Sequence, residues 1–352
     1  MGNSSENTGA KVFTVEQIKS WGMVLLEKLP ISKEGAEDIL DVLLQANVRG
    51  VDTHGIIRLV DYVKRLQNAP FKEIEIIKDG KLFTLIDGHN GPGPIVGRFA
   101  MNSAINKAKI HGNGFAAVRG SNHFSTAAYY SLMACNANMI GITMSTASPR
   151  IAPWGGLDAV IGNNPWSVAF PGYDFPIVLD MANTVVAMGK IRTCLREKKP
   201  LDPGWAMDSN GNPTTDPVAA NDGLLMPIGA HKGVAISMMV DLLTGALSQS
   251  NAFSCNVNRV ETSSKPQNVS HIFAAIDMTE LVSLEDFKAN IKRYADIVKS
   301  VRRKEGCNAI YLPGEIEWDI SLSRLRDGIK LSDKTIEQLN DLAGSVGVIP
   351  LS

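Results

Sequence analysis

Cysteine is scarce in this chain and never clustered. The four residues, Cys135, Cys194, Cys255 and Cys307, are each more than fifty positions from the next, and no CxxC pair occurs. Zinc sites and disulfide frameworks need cysteines at short or repeated spacings, so this distribution argues against both. It is typical of a reducing compartment, and the sequence therefore predicts a cytoplasmic location with no metal site.

An excess of charge and a membrane-length apolar run are also absent. Lysine and arginine number 35, aspartate and glutamate 36, so no global field favours nucleic acid or a membrane surface. The longer apolar stretches are interrupted by Gly, Pro, Asn or charged residues. The start, MGNSSENTGAKVF, lacks the apolar core of a secretory signal, and it misses the myristoylation pattern because its serine falls one place early. The sequence thus predicts neither nucleic-acid nor membrane binding.

A dinucleotide-binding fingerprint is missing where it would be expected. The segment GHNGPGPIVG lies between a predicted strand and a predicted helix, the place of a Gly-x-Gly-x-x-Gly loop that cradles a pyrophosphate. Its spacing is instead Gly91-x-Gly93-x-x-x-Gly97, with prolines at 92 and 94. No acidic residue stands about twenty positions later to hold a ribose. The segment therefore does not predict a Rossmann domain.

Carboxylates are missing from a long central segment. No Asp or Glu occurs between Gly88 and Leu157. The basic residues of this segment are Arg98, Lys107, Lys109, Arg119 and Arg150. At an ordinary acidic content of about a tenth, such a gap is rare. It suits an anionic ligand, and buried strands, which are naturally poor in charge, explain it equally well.

The apolar patterns divide the chain into helical parts and a strand-rich part. Helical signals fill the first eighty residues, with a capping box at Thr14 and Gln17 and a cap at Ser32. From about Leu82, short apolar runs bounded by Gly, Pro and Asn predict the strands LFTLIDG, GFAAVRG, MIGITMS, WSVAFPG, FPIVLDM and HIFAAID. A helix that ends at a glycine follows the first strand, and the tail returns to helix. We predict an α/β (α+β) protein with a strand-rich domain over residues 81–284 and a helical domain from residues 1–80 and 285–352.

Polar residues follow several of these strands. Asp180 ends an apolar run, where a carboxylate needs a partner to offset its desolvation. Ser121 and His123 lie in a strand-to-helix turn whose donors suit a phosphate or carboxylate, and His231 and Lys232 begin an apolar helix, which also suits an anion. A hydrogen-bonded loop histidine and a solvated first-turn lysine are the ordinary alternatives.

The stretch RGVDTHGIIR places a histidine one helical turn before an arginine. If a helix starts near Asp52 or Thr53, His54 lies in its first turn and Arg58 follows on the same face. A helix N-terminus would keep the imidazole neutral and able to accept a proton, and a guanidinium offers a planar fork to a carboxylate. A solvated surface pair is the ordinary alternative.

Eight motifs in order resemble one known family. They are DTHGIIR, GSNHFSTAAYY, APWGG, GNNPW, LDMANTVVAMGK, GWAMDSNGNPTTDP, HKG and LPGE, and they extend over nearly the whole chain. In order and spacing they are similar to the type-2 malate/L-lactate dehydrogenases, which include ureidoglycolate and sulfolactate dehydrogenases, diketogulonate reductase and cyclic-imine reductases. The resemblance implies a non-Rossmann fold, in agreement with the missing fingerprint, and a homodimer that uses NAD or NADP.

The resemblance also implies roles for single residues. His54 matches the catalytic acid/base, Arg58 the anchor of the substrate carboxylate, and His123 the histidine of the substrate and nicotinamide site. Asp180 is a second catalytic candidate, because a carboxylate near His54 would stabilise the imidazolium once it forms. The predicted cofactor contacts are Ser121, His123, Asp180, Met181, Ala182, His231, Lys232, Gly314 and Glu315.

Two departures from the family pattern lie on the cofactor side. Ser125 stands where the family usually has glycine, and His231 replaces the usual aromatic residue or proline before Lys-Gly. They leave the choice between NAD and NADP open, with NAD favoured.

The sequence thus predicts an oxidoreductase that moves a hydride between NAD(P) and a small 2-hydroxy or 2-keto acid, with malate and oxaloacetate ahead of lactate and pyruvate. A cyclic-imine (pyrroline- or piperideine-2-carboxylate) reductase or a ureidoglycolate dehydrogenase on the same scaffold is the first alternative. A non-catalytic small-acid or nucleotide-binding protein is the second. His54 with Arg58 argues against it, since binding alone does not require a neutral proton acceptor.

Overall fold

The computed structural model of the chain describes residues 10–69, 71–250, 252–259 and 265–352. The expectations about a signal sequence and a myristoylation site concern the first residues of the chain, and positions 1–9 lie outside the described residues. Within the described ranges, no helix is both long enough and apolar enough to cross a bilayer.

The helices and strands alternate irregularly along the chain. The α-helices are α1 (Val15–Leu26), α2 (Lys33–Val48), α3 (Leu59–Asn68), α4 (Gly93–His111), α5 (Ala127–Asn136), α6 (Met188–Glu197), α7 (Pro217–Asp222), α8 (His231–Asp241), α9 (Leu284–Ser300), α10 (Glu315–Asp327) and α11 (Asp333–Ser345). The strands are β1 (Lys11–Phe13), β2 (Glu75–Asp79), β3 (Phe83–Asp87), β4 (Asn113–Ser121), β5 (Ile140–Ser145), β6 (Pro149–Ile151), β7 (Ile161–Gly162), β8 (Trp166–Phe170), β9 (Ile177–Met181), β10 (Ala206–Met207), β11 (Pro213–Thr214), β12 (Leu224–Leu225), β13 (Val269–Ile276) and β14 (Ile329–Leu331).

The chain forms two compact units, Met1–Phe71 with Ile316–Ser352, and Lys72–Glu315. The predicted boundaries after residues 80 and 284 are corrected, because β2 and α9 both belong to the second unit. All five residues of β2 are exposed, so no apolar pattern marks it as a strand. The helical period of α9 predicts a helix but does not tell which core it joins.

The first unit is built from α1, α2, α3 and α11 with the antiparallel pair β1–β14. Its predicted caps are present: the Thr14 hydroxyl accepts the N–H of Gln17 at 3.1 Å, and the Ser32 hydroxyl accepts the N–H of Gly35 at 3.0 Å. The apolar face of α2 is fully buried and forms the centre of this core. The helical prediction for this part is confirmed in its first two helices.

The second unit contains a seven-stranded mixed sheet in the order β2-β3-β4-β13-β5-β8-β9. Only β3 and β4 run parallel; the other five neighbouring pairs are antiparallel. All six predicted strands are present in it. A Rossmann domain needs a parallel sheet, so the prediction of a mixed, non-Rossmann α/β fold is confirmed. The helices α4 and α5 pack on this sheet, and α4 ends at Gly112 as predicted.

Candidate active site

His54 lies in a short 3-10 turn and not in an α-helix. Two such turns, Asp52–His54 and Ile56–Arg58, precede α3, and extended Gly55 separates them. The predicted start at Asp52 is therefore found, but the turn is 3-10 and does not continue as one helix to Arg58. The spacing of His54 and Arg58 along one helical face does not explain their arrangement.

Asn47, which is buried near the end of α2, holds the two turns in place. Its Oδ1 accepts the N–H of Ile56 at 2.6 Å, and its Nδ2 donates to Asp52 Oδ1 at 2.7 Å. On the far side of this carboxylate, Arg324 Nη2 donates to Asp52 Oδ2 at 3.0 Å. The backbone on both sides of His54 is therefore fixed by groups that the sequence did not single out.

The half-buried imidazole of His54 is neutral at ordinary pH. Burial, and then the positive charge of Arg58, lower its pKa from 6.5 to about 4. The neutral form was predicted, but the predicted cause, a helix N-terminus, is wrong. Nδ1 lies 3.0 Å from Thr53 Oγ1. When Nδ1 carries the proton and donates it to this hydroxyl, Nε2 keeps the lone pair that a general base needs.

Arg58 is held by its own neighbourhood. Its Nε donates to the carbonyl of Thr53 at 2.8 Å, and its Nη1 pairs with Asp61 Oδ2 at 3.1 Å. The side chain is 20% exposed, which does not fit a solvated surface residue. Its Nη2 makes no hydrogen bond to any residue in the described part of the chain, so this end of the guanidinium can still donate to an anion.

The loop that carries His123 is fixed by hydrogen bonds from its neighbours. Asn122 Nδ2 donates to the carbonyls of Asn90 and Gly91, and Asn122 Oδ1 accepts the N–H of Gln267 at 3.2 Å. Gln267 Oε1 in turn accepts the N–H of His123 at 2.8 Å. Because Asn122 is buried and His123 only half-buried, the imidazole stays accessible while the Asn122 side chain that fixes the loop is covered.

Aromatic stacking supports the same loop. The Phe124 ring lies between His271 and Tyr130, with centroid distances of 4.4 Å and 4.8 Å. The Tyr130 hydroxyl also donates to the carbonyl of Phe124 at 2.7 Å. Burial lowers the pKa of His271 to about 3, so this second imidazole is a neutral packing group.

The loop also contains Ser121, a predicted cofactor contact, and Ser125, which departs from the family pattern. Ser121 is fully buried, and its hydroxyl donates to the carbonyl of Asn122 at 3.4 Å. Ser125 has φ +71°, the left-handed region that glycine adopts without strain. The chain thus keeps, with a serine, the backbone conformation that the family glycine would favour.

Asp180 occupies an exposed position at the end of β9. Its Oδ2 accepts the N–H of Ala128 in the first turn of α5 at 3.2 Å. The expectation that this carboxylate finds a partner is met by the Ala128 N–H, but the side chain is exposed and not buried. One of the α5 N–H groups that the sequence offered to an anionic ligand is thus taken by the protein itself.

Buried Asn183 connects the segment after β9 to the start of α8. Its Nδ2 donates to the carbonyl of Asn164 at 2.8 Å, and its Oδ1 accepts the indole N–H of Trp166 at 3.1 Å. Its own carbonyl accepts the N–H of Ile228 at 3.0 Å. Asn164 and Asn183, in the GNNPW and LDMAN motifs, therefore position the half-buried Met181 and Ala182 relative to the chain that leads into α8.

Three of the predicted cofactor segments gather around β9. At the start of α8, His231 and Lys232 are exposed, and the His231 ring lies 5.8 Å from that of Trp154. Gly314, at φ +83°, runs so close to β9 that a Cβ would meet Val178 at 2.8 Å.

Glu315 is already engaged in the loop before α10: it accepts the N–H of Leu312 at 2.8 Å and pairs with Lys299. His54 and Arg58 belong to the first unit, and the other predicted site residues belong to the second.

Two basic residues of the carboxylate-free segment pair with carboxylates outside it. Lys107 pairs with Asp79 at 2.6 Å, and Arg119 pairs with Asp87 at 2.8 Å, both carboxylates that precede the segment. Among the residues the structure describes, no group of three or more His, Cys, Asp or Glu side chains could hold a metal ion.

Comparison with known proteins decides the family. A family model described as malate/L-lactate dehydrogenase matches residues 13–340. The chain is 38% identical to a malate dehydrogenase of Pyrococcus horikoshii over 95% of both chains, and 35% identical to an L-sulfolactate dehydrogenase of Methanocaldococcus jannaschii over 92% of this chain and 94% of the relative. The chain belongs to the malate/L-lactate dehydrogenase family. The resemblance seen in the sequence is confirmed.

Solved structures of family members agree with this assignment. A structure of the P. horikoshii malate dehydrogenase superposes with a TM-score of 0.89 at 36% identity over 99% of both chains. A sulfolactate dehydrogenase structure from M. jannaschii also gives 0.89, at 34% identity over 96% of this chain and 98% of that one. As a family member, the protein is an oxidoreductase that acts on hydroxy acids and uses a pyridine nucleotide.

The residues around β9 fit such a cofactor. Lys232 offers an exposed cation at the positive end of an eleven-residue helix, which suits a phosphate. Met181 and Ala182 offer half-buried apolar surface, which suits a ring. These groups are chemically compatible with an anion joined to an aromatic group.

We predict that Gly55→Ala displaces the His54 turn. A Cβ at residue 55 would lie 2.2 Å from Asn47 Oδ1, the atom that accepts the N–H of Ile56. Overpacking of this kind costs about 1–3 kcal/mol of unfolding free energy, and kcat/KM is expected to fall as the imidazole moves. Thermal unfolding and steady-state kinetics measure both effects.

Gly344→Ala is the matched control in the same unit. It lies in α11 with nothing within 4 Å of the added Cβ, so activity should not change. Wild-type kinetics for Gly55→Ala would show that the turn does not position His54.

Proposed function

We propose that this dehydrogenase interconverts a small 2-hydroxy acid and its 2-keto acid, with malate and oxaloacetate as the favoured pair. The observation that carries the proposal is a neutral, half-buried His54 four residues before an oriented Arg58. Oxidation of a hydroxy acid needs a proton acceptor for the hydroxyl and a fixed cation for the carboxylate. The 38% identity to a protein named malate dehydrogenase supports malate over the other acids.

Arg58 positions the substrate in this proposal. The Nη2 end of its guanidinium donates to the C1 carboxylate, while Thr53 and Asp61 prevent the side chain from rotating. The bound carboxylate offsets the charge of Arg58 that lowers the pKa of His54. Substrate binding therefore reduces the smaller of the two effects that lower the pKa of His54, while the effect of burial remains.

His54 Nε2 then takes the hydroxyl proton as the C2–H bond breaks and the carbonyl forms. A nicotinamide, when bound, supplies the acceptor for the hydride that leaves C2. Thr53 Oγ1 accepts from Nδ1–H throughout and keeps the ring in the productive tautomer. The roles predicted for Asp180, as stabiliser of the imidazolium, and for His123, beside the substrate, remain part of the proposal.

The residues that would hold the cofactor are Met181, Ala182, His231, Lys232 and Gly314. Of NAD and NADP, we retain NAD as the proposed cofactor. Ser121 is retained only as a buried support of the His123 loop, and Glu315 as a support of the loop beside β9.

The test of this function is a panel of absorbance assays at 340 nm. The protein is supplied with NADH or NADPH and with oxaloacetate, pyruvate, sulfopyruvate or a cyclic imine such as piperideine-2-carboxylate. We expect the highest kcat/KM with oxaloacetate and NADH. A higher value with the imine would overturn the hydroxy-acid proposal, and turnover with sulfopyruvate alone would replace malate by sulfolactate.

We predict that Arg58→Lys lowers both kcat and the apparent affinity for the substrate. The lysine keeps the charge but loses the planar fork, so the substrate is attracted and no longer oriented. A loss of a few kcal/mol in kcat/KM is expected, with nucleotide affinity unchanged. Arg326→Lys, at an exposed arginine of the same unit, is the control. Equal kcat/KM in the two variants would place the carboxylate anchor elsewhere.

The pH dependence of kcat/KM for hydroxy-acid oxidation should reflect the low pKa of His54. Only the neutral imidazole accepts a proton, so activity is present above the folded-state pKa and is lost as the pH falls through it. With a pKa of about 4, the acid limb is expected well below the 6.5 of an unperturbed histidine. After correction for substrate ionisation, a limb near 6.5 would contradict a desolvated His54.

We also propose that the protein is a homodimer. Large apolar side chains are exposed on α8 and on the turn that follows it, namely Met238, Met239, Leu242, Leu243 and Leu247. A contiguous apolar surface of this kind is typical of an interface. Light scattering at micromolar concentration should report twice the mass of 38.0 kDa. A monomer under these conditions would refute the proposal.

A further inference from the structure

A cavity of about 430 Å³ lies in the second unit and is lined by no residue of the proposed active site. We call it the β3–β4 cleft, because Asp87 and Arg119, the last and near-last residues of these strands, both line it. The two residues are register partners in the one parallel pair of the sheet. Loops at the carboxyl ends of parallel strands are the usual place of ligand sites in α/β sheets.

The charge of the cleft favours an anion. Both oxygens of Asp87 are engaged: Oδ2 accepts from Arg119 Nε and Oδ1 from the N–H of His89, each at 2.8 Å. Lys72 Nζ and the two Nη groups of Arg119 make no hydrogen bond within the described ranges of the chain. The lining therefore has two permanent cations with donors to spare and one carboxylate whose oxygens point to the wall.

His89 adds little to the positive charge of the cleft. Its Nε2 lies 3.0 Å from Glu75 Oε2, and its Nδ1 lies 3.6 Å from Asp87 Oδ1, so two carboxylates already flank the ring. The other donors of the cleft belong to Lys72, to Arg119 and to side-chain amides.

Amide side chains on strained backbone complete the lining. Asn90, Gln249 and Asn268 have φ of +57°, +53° and +59°, and His89 has +47°. Such conformations cost about 1–3 kcal/mol each and cluster at ligand sites. Asn90 Oδ1 accepts the N–H of Asn268 at 3.2 Å, which leaves its amide nitrogen to donate.

The wall of the cleft is also preorganised. The carbonyl of Asn90 accepts a hydrogen bond from buried Asn122, and the Ser250 hydroxyl is held at 2.9 Å from that of Ser270. A ligand would therefore meet donors that are already in place, which reduces the entropy lost on binding.

We propose that the β3–β4 cleft binds a small oxyanion, a phosphate or a carboxylate, with Lys72 and Arg119 as its principal ligands. Arg58, the proposed carboxylate anchor, is not among the residues that line this cleft. Nothing in the hydroxy-acid reaction requires it, so its occupancy and the activity can be tested independently.

Isothermal titration calorimetry with inorganic phosphate, and separately with acetate, tests the site on the full chain without nucleotide or substrate. Ionic strength is held constant with chloride. We expect a saturable site that is weakened in the cleft variants and kept in Arg58→Lys, and the anion that binds more tightly at this site identifies the source. Lys72→Met and Arg119→Gln should each raise Kd by about tenfold or more, because each removes a charged donor.

Two controls make the result decisive. Lys109→Met removes an exposed lysine of α4 that does not line the cleft, and Arg58→Lys alters the proposed substrate anchor; both should bind the anion as the wild type does. Lys72 is exposed, so its substitution leaves the fold intact even if Arg119→Gln unfolds. No saturable heat with either anion, wild-type affinity in Lys72→Met, or loss of binding in Arg58→Lys would each overturn the proposal.

Discussion

The central constraint of this protein is that an imidazole must stay neutral and correctly oriented beside a guanidinium. Burial lowers the pKa of His54, and the positive charge of Arg58 lowers it further, so the imidazole is neutral and weakly basic. A substrate carboxylate would remove part of this effect by neutralising Arg58. In the proposed mechanism, substrate binding and the base strength of His54 are therefore coupled through the charge of Arg58.

The local backbone follows from this constraint. A regular helix through residues 52–58 would fix the spacing of the two side chains by its own geometry. The structure instead uses two 3-10 turns with Gly55 between them, and the side chain of Asn47 fills the space that any Cβ at Gly55 would need. Asp52, held by Arg324, braces the first turn from the opposite side. The site therefore depends on a buried amide more than on helical periodicity.

The second unit places several short segments around one strand, β9. Because β13 inserts between β4 and β5, segments far apart in the chain become neighbours in a mixed sheet. Asn183 then joins the end of β9 to the start of α8, and Gly314 allows the chain to pass directly against Val178. The proposed pyridine-nucleotide site would therefore be built from these contacts and not from a single glycine-rich loop.

Much of this could be predicted from the sequence, and the failures have physical reasons. Apolar periodicity and caps predicted the helices of the first unit and six strands of the sheet, because those signals are local. The edge strand β2 was missed because all of its residues are exposed and no apolar pattern marks it. Asp180 was expected to be buried, since the sequence cannot show that solvent reaches the end of β9.

The residues that position His54 were beyond prediction for another reason. Asn47 and Arg324 act from far along the chain, and a single Asn or Arg carries no periodic signal. The motifs identified the chemistry because they were matched together, in order, to one family. The predicted cause of the neutral imidazole and the predicted conformation of the turn were wrong for the same reason. The local pattern of RGVDTHGIIR suggested a helix.

The central claim is that His54 accepts the substrate proton, and His54→Gln tests it most directly. Glutamine is polar and of similar size but cannot act as a base at neutral pH. Single-turnover kinetics with saturating nucleotide should show hydride transfer slowed by about 10² to 10⁴, while nucleotide affinity, followed by fluorescence titration, should not change. A hydride-transfer rate close to that of the wild type would contradict the account and require another proton acceptor.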